Sequence, residues 1–348
     1  MEQLRAELSH LLGEKLSRIE CVNEKADTAL WALYDSQGNP MPLMARSFST
    51  PGKARQLAWK TTMLARSGTV RMPTIYGVMT HEEHPGPDVL LLERMRGVSV
   101  EAPARTPERW EQLKDQIVEA LLAWHRQDSR GCVGAVDNTQ ENFWPSWYRQ
   151  HVEVLWTTLN QFNNTGLTMQ DKRILFRTRE CLPALFEGFN DNCVLIHGNF
   201  CLRSMLKDSR SDQLLAMVGP GLMLWAPREY ELFRLMDNSL AEDLLWSYLQ
   251  RAPVAESFIW RRWLYVLWDE VAQLVNTGRF SRRNFDLASK SLLPWLPWRT
   301  FQPLPDAAKR FIANTIAMHQ PDRRRDCPFP RVKRRVDGQL IRRGWERI

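Results

Sequence analysis

The first ninety or so residues alternate between short apolar runs and polar turns, a pattern typical of β-strands. Before the first run, leucines at positions 4, 8, 11 and 12 predict a short amphipathic helix. Strands are predicted over residues 19–22, 29–34, 42–48, 73–78 and 89–93, and one helix over residues 53–66. We therefore expect a small, mostly β N-terminal part that contains one main helix.

After residue 97 the apolar positions recur at helical spacing. Thr106 is a plausible N-cap before Pro107, and one face then carries Trp110, Leu113, Ile117, Leu121 and Trp124. Further helices are predicted over residues 146–162, 171–185 and 260–274. Two short apolar runs, at residues 193–196 and 214–218, interrupt the helical pattern and read as strands. The second part of the chain is therefore expected to be mostly helical.

The composition is that of an ordinary globular protein. The chain has 348 residues, of which 44% are hydrophobic and 25% are charged, so two domains or lobes are expected. The six cysteines have no metal-ligand spacing, as expected of free thiols in a reducing compartment. No apolar run approaches 18 residues, and the charged N-terminus lacks the apolar core of a signal peptide. The sequence therefore predicts a cytoplasmic protein with no membrane partner.

The net charge of +7 is concentrated at the C-terminal end. Residues 307–348 contain twelve basic and four acidic residues, a net charge of +8. The 35 basic and 36 acidic residues that remain give residues 1–306 a net charge of −1. Weak, nonspecific nucleic-acid contact is thus a hypothesis for the tail alone, and a solvated extension is the alternative.

Five short motifs occur in an order that is known from one enzyme family. The apolar run Leu90-Leu91-Leu92 is followed by a short polar crossing that ends at Gly97, and the first long helix ends in Trp124-His125. Leu195–Met205 contains His197-Gly198, and a later run enters Gly219-Pro220-Gly221 before Tyr230-Glu231-Leu232. In these motifs the chain resembles the aminoglycoside phosphotransferases and choline kinases. The resemblance covers roughly residues 15–290.

The resemblance implies an α+β, bilobal, protein-kinase-like fold. The small, mostly β N-lobe would comprise residues 1–97, with the hinge at residues 90–97 and one main helix. The larger, mostly helical C-lobe would comprise residues 98–305 and carry the catalytic and metal loops. Residues 306–348 would form a basic, disordered tail.

The same resemblance identifies the positions where chemistry is expected. Its catalytic candidates are Asn199, at the position of the family's proton-accepting Asp, and His197, which we interpret as shaping the loop. The family's two metal ligands, an Asn and an Asp, are replaced by Ser204 and Gly219, so no metal ligand is expected at either position. Glu231 is predicted to brace the metal-loop scaffold.

The nucleotide candidates lie in the N-lobe. Arg46 occupies the position of the family's phosphate-binding Lys, with a solvated strand residue as the alternative interpretation. Leu92, Glu93 and Met95 would line the nucleotide at the hinge. The turn at residues 23–28 has no glycine, and residues 56–60 lack the acid that usually pairs with the Lys.

Three functional hypotheses follow. The first is a catalytically impaired pseudokinase that acts by binding an unknown small molecule or protein. The second is an active kinase for aminoglycosides, amino alcohols or sugars, with metal ligands recruited from Asp208 or Asp212. The third is polyanion or nucleic-acid binding through the tail. The resemblance implies ATP and Mg²⁺ as cofactors, and the missing carboxylates argue against both.

Overall fold

The computed structural model describes residues 2–25, 27–80, 86–137, 143–162, 165–236 and 238–297. The chain divides into two compact units, Met1–Trp124 with Cys201–Met223, and His125–Phe200 with the residues from Leu224 onward. The lobe boundaries predicted at residues 97 and 305 stay predictions. The predicted tail, residues 306–348, lies outside the described residues.

Helices and strands are named in chain order. The helices are α1 (Glu2–Leu12), α2 (Lys53–Ser67), α3 (Pro107–His125), α4 (Trp144–Gln161), α5 (Met169–Glu180), α6 (Leu182–Leu185), α7 (Glu229–Leu232), α8 (Ser239–Arg251), α9 (Phe258–Thr277) and α10 (Arg282–Leu292). The strands are β1 (Arg18–Lys25), β2 (Thr28–Tyr34), β3 (Pro40–Phe48), β4 (Ile75–Met79), β5 (Asp88–Glu93), β6 (Val98–Ser99), β7 (Gly134–Ala135), β8 (Cys193–Ile196), β9 (Met205–Lys207), β10 (Leu214–Met217) and β11 (Leu224–Pro227).

The first unit is built on a five-stranded antiparallel sheet of order β1-β2-β3-β5-β4. Its strand β5 reads as a continuous apolar run because both of its faces are covered. Val89 and Leu91 pack with residues of α1, whereas Leu90 points to the other face and packs with Ala54 of α2. A second, three-stranded sheet of order β10-β9-β6 belongs to the same unit.

The second unit is mostly helical and contains one small sheet of order β7-β11-β8. Its core is rich in aromatic residues. Tyr265 on α9 makes edge-to-face contacts with Tyr148 of α4 and Tyr230 of α7, with ring centroids 5.1 and 5.0 Å apart. Such pairs add specific geometry to the burial of apolar area. Trp144 and Trp268 are also buried in this unit, so aromatic side chains supply much of its packing.

The expected α+β fold, with a small sheet-containing N-terminal lobe and a mostly helical C-terminal part, is confirmed. One predicted helix is wrong in detail. Residues 171–185 form two helices, α5 and α6, which are separated at Cys181. Pro183 lacks the N–H that would continue the hydrogen bonding of a helix, which explains the break. No helix of the described residues is both long enough and apolar enough to cross a membrane.

An ion pair is buried in the second unit. The Arg261 guanidinium donates to both carboxylate oxygens of Glu229, at 2.7 and 2.8 Å, and the Tyr265 hydroxyl donates to the same carboxylate at 2.5 Å. Glu229 is fully buried and Arg261 is 1% exposed. Neither charge can be solvated by water, so each depends on the other.

We predict that Glu229→Ala lowers the free energy of unfolding by about 3–5 kcal/mol, because it leaves the buried Arg261 cation without its main partner. Urea denaturation followed by tryptophan fluorescence measures this. The matched control is Glu153→Ala, which removes a half-exposed pair with Arg179 at 2.8 Å and should cost less than about 1 kcal/mol. Equal losses in the two variants would contradict the prediction.

Candidate functional site

The loop at His197 begins where a strand ends. β8 pairs with β11 in antiparallel register, with Ile196 opposite Leu224, so His197 is the first residue beyond the sheet. Its side chain is fully buried, and burial lowers the pKa of His197 to about 4, against a hydrogen bond with the Asn199 backbone that raises it. The imidazole is therefore neutral at neutral pH.

Glu231 fixes the backbone of this loop. Its carboxylate accepts the His197 N–H at 2.5 Å and the Gly198 N–H at 3.1 Å. Gly198 has φ +76°, a left-handed conformation that favours glycine. Burial raises the pKa of Glu231 to about 7, and the backbone donors oppose that rise. Glu231 therefore braces the His197 loop, and its predicted role at the metal loop stays a prediction.

Ser204 and Gly219 are brought together in the first unit. The Val218 N–H donates to the Ser204 carbonyl at 2.8 Å, which places Gly219 next to the turn at Leu202–Ser204. The Ser204 hydroxyl, in a residue that is 4% exposed, donates to the Cys201 carbonyl at 2.8 Å and accepts the Cys201 N–H at 3.2 Å. The hydroxyl thus closes a local turn. Asn199 lies in the second unit, with His197.

A lysine that the sequence analysis did not single out binds the glycine loop. Lys60 of α2 donates from Nζ to the Gly221 carbonyl at 3.0 Å. Gly219 has φ +63° and offers no side chain. By the resemblance this helix should carry an acid, but residues 56–60 contain none, and the helix supplies a cation to this loop instead. The sequence signal for this contact was the presence of Lys60 in the segment where the family carries an acid.

Arg46 lies partly buried on β3. Its Nε donates to Thr28 Oγ1 at 3.2 Å, and its guanidinium lies over the Phe48 ring, 5.3 Å from the centroid. Burial lowers the pKa of Arg46, and the nearby Asp27 carboxylate opposes this. Asp27 also accepts from Lys53 Nζ at 2.5 Å. Arg46 is thus engaged by β2, and the sequence analysis missed both Asp27 and Lys53.

The hinge candidates serve the sheet. The Glu93 N–H donates to the Thr74 carbonyl at 2.8 Å, and the Glu93 carboxylate accepts from the Thr74 N–H at 3.2 Å and from Arg71. Leu92 packs beneath α2 against the cluster that contains Leu90, and Met95 is half-buried. A nucleotide-binding role of Leu92, Glu93 and Met95 stays a prediction.

The sequence model of the "Phosphotransferase enzyme family" (APH) matches residues 31–272, more than half of the chain. This chain belongs to the phosphotransferase enzyme family. Within the described ranges, no group of three or more His, Cys, Asp and Glu side chains is placed to hold a metal ion.

Solved structures of other proteins share the fold. A protein assigned as a fructosamine-3-kinase from Thermobifida fusca YX-ER1 is 18% identical, with a TM-score of 0.59, and the match covers 84% of this chain and 99% of that one. The apo form of a thermostable mutant of aminoglycoside phosphotransferase APH(4)-Ia is 14% identical, with a TM-score of 0.61, over 83% and 96%. This phosphotransferase family member therefore has the protein-kinase-like fold that its motifs implied.

We predict that His197 makes the stability of this family member depend on pH. The folded pKa of about 4 lies below the ordinary value of 6.5, so the stabilisation is complete above pH 6.5 and is lost as the pH falls through 4. The loss is about 3 kcal/mol. The variant His197→Asn lacks this pH-dependent stabilisation. The difference in unfolding free energy between the wild-type protein and the variant should therefore become smaller as the pH falls from 7 to 4.

Urea midpoints measured at half-unit pH steps for both proteins give this difference. His125 and His151, whose pKa values are also lowered by burial, are present in both proteins, so their contributions cancel. Curves that run parallel from pH 7 to pH 4 would show that His197 is not buried in its neutral form.

Proposed function

We propose that this chain is a catalytically impaired member of the phosphotransferase family, and that it acts by binding a small molecule or a protein. One observation carries the proposal. In the loop where the resemblance places a metal-binding Asp, the chain has Gly219, and the Lys60 ammonium lies 3.0 Å from the Gly221 carbonyl. A fixed cation beside the loop repels a divalent metal ion, and no carboxylate is present at Gly219 to offset that repulsion.

The side chains at the family's metal positions do not fit Mg²⁺. Mg²⁺ takes hard oxygen ligands and is usually held by one or two carboxylates. The Ser204 hydroxyl is neutral and hydrogen-bonded on both sides to Cys201. Gly219 has no side chain. Ser204 and Gly219 therefore do not hold the Mg²⁺ ion whose charge would neutralise a triphosphate.

The position of the general base is also changed. Asn199 has an amide, which cannot accept a proton from an alcohol at neutral pH. Loss of a general base typically costs about 10²–10⁴ in rate. His197 does not replace the base, because its imidazole is fully buried behind the loop. Proton transfer and metal binding are therefore both weakened, at separate positions.

The alternative of an active kinase needs metal ligands from Asp208 or Asp212. Asp208 accepts the N–H groups of Arg210 and Ser211, at 2.9 and 2.7 Å, and thereby closes its own turn. Asp212 is 3% exposed and pairs with buried Lys207 at 2.8 Å. Releasing Asp212 would leave the Lys207 cation buried without its partner, which is costly. These contacts favour the impaired form.

The third hypothesis, nucleic-acid binding by the basic tail, concerns residues outside the described part of the chain, and no structural observation favours it. We also propose that the protein acts in the cytoplasm. The five described cysteines, Cys21, Cys132, Cys181, Cys193 and Cys201, are free thiols, as is usual in a reducing compartment.

A thermal-shift titration with ATP, in the presence and absence of Mg²⁺, tests the proposal. We expect no stabilisation that depends on Mg²⁺, since ligand binding raises the melting temperature only when it favours the folded state. An active aminoglycoside phosphotransferase serves as the positive control. A large metal-dependent rise in the wild-type protein would contradict the proposal.

Binding and turnover are separated by a ligand panel. Aminoglycosides, amino alcohols and sugars are titrated by calorimetry, and ADP release is followed in parallel with Mg·ATP present. We expect any ligand that gives heat to give no ADP above the background hydrolysis. Sustained ADP release that is abolished by Asp212→Asn, with the fold retained, would instead support the alternative kinase.

A further inference from the structure

The turn between β1 and β2 places one carboxylate among cations. Asp27 accepts from Lys53 Nζ at 2.5 Å, and the two side chains are 42% and 43% exposed. This hydrogen bond, together with the charges of Lys53 and Arg46, lowers the pKa of Asp27. Asp27 is therefore ionised at neutral pH and acts as a shared counter-ion of Lys53 and Arg46.

The backbone holds this carboxylate in place. The Asp27 carbonyl accepts the Ser49 N–H at 3.0 Å and the Ser49 hydroxyl at 3.3 Å. The turn is thereby tied to the segment that connects β3 to α2, directly before Lys53. Asp27 is thus held through its backbone by Ser49 and through its side chain by Lys53 at the start of α2.

Arg46 needs a counter-ion because it is partly desolvated. Its Nε is used by Thr28, and one face of the guanidinium lies over Phe48. A second acid, Asp88, is 1% exposed and accepts the Gly52 N–H at 2.6 Å, so its carboxylate is committed to the start of α2. Of these two carboxylates, Asp27 is the one that water and ligands can reach.

We propose that Arg46, Lys53 and Thr28 form an anion site that the chain fills with its own Asp27 carboxylate, which excludes external phosphate groups. The inference rests on the proposed function, because it explains how a phosphotransferase fold can keep Arg46 in its sheet and Lys53 at the start of α2 and still not use a phosphate donor. The external ligand that Asp27 displaces is a compact polyanion of the diphosphate class. Planar guanidinium and ammonium groups together suit such a ligand.

The test uses inorganic pyrophosphate as the probe, without metal, and the full-length protein. Asp27→Asn keeps the size of the side chain and removes its charge. Because a unit charge within about 4 Å is removed from the site, pyrophosphate affinity measured by calorimetry should rise about tenfold or more at low salt. The gain should shrink as ionic strength increases, since the pair is half-exposed.

Two further variants make the result specific. Asp35→Asn is the matched control, because Asp35 closes the next turn of the same sheet by accepting the Gln37 and Asn39 N–H groups, at 2.9 and 2.8 Å. It should not change pyrophosphate affinity. Asp27→Asn combined with Lys53→Met should lose the gain.

The proposal is overturned if a folded Asp27→Asn protein binds pyrophosphate no better than the wild type, or if Asp35→Asn gains as much affinity. These outcomes are distinct from failure of the proposed function. Mg·ATP turnover by the wild-type protein would refute the impaired assignment, whereas the pyrophosphate comparison uses neither metal nor turnover.

Discussion

The loop at His197 depends on one interaction, the hydrogen bonds that the buried Glu231 carboxylate accepts from its backbone. The carboxylate accepts the backbone N–H groups of His197 and Gly198, and so fixes the loop that follows β8. This contact uses the main chain of the loop and is indifferent to which side chain stands at position 199. The loop geometry can therefore persist while the reacting group changes from a carboxylate to an amide. A loop that keeps its backbone conformation does not thereby keep its catalytic activity, because activity depends on the side chains of the site.

In the first unit, too, the charged groups differ from those that the resemblance implies. Where the family has a metal-binding Asp the chain has Gly219, and Lys60 binds the adjoining loop. Where a phosphate would meet Arg46, Asp27 supplies an anion. The buried acids are engaged within the fold: Glu231 accepts backbone N–H groups, whereas Glu229 and Asp212 form ion pairs with Arg261 and Lys207. These three carboxylates thus stabilise parts of the fold, and we propose that internal partners also occupy the positions where the resemblance places metal and phosphate.

Much of the fold could be predicted because strands β2, β3 and β5 and helices α3 and α9 have strong local patterns. Helices α8 and α10 and the four-residue strand β11 were not predicted, and β11 owes its existence to pairing with β8. The motifs identified the loop positions Asn199, Ser204 and Gly219. They did not identify the partners, since the Lys60–Gly221 bond joins residues 161 positions apart and the Asp27–Lys53 pair joins residues 26 apart. Such contacts depend on tertiary packing, which local pattern does not encode.

We propose that the chain does not bind a divalent metal ion at the positions of Ser204 and Gly219. Paramagnetic resonance of Mn²⁺, titrated into the protein with and without a nonhydrolysable ATP analogue, tests it most directly. The account predicts that the protein removes no free Mn²⁺ beyond what the analogue binds by itself. One additional Mn²⁺ bound per chain, and lost when Asp208 and Asp212 are both changed to Asn in a protein that remains folded, would contradict it.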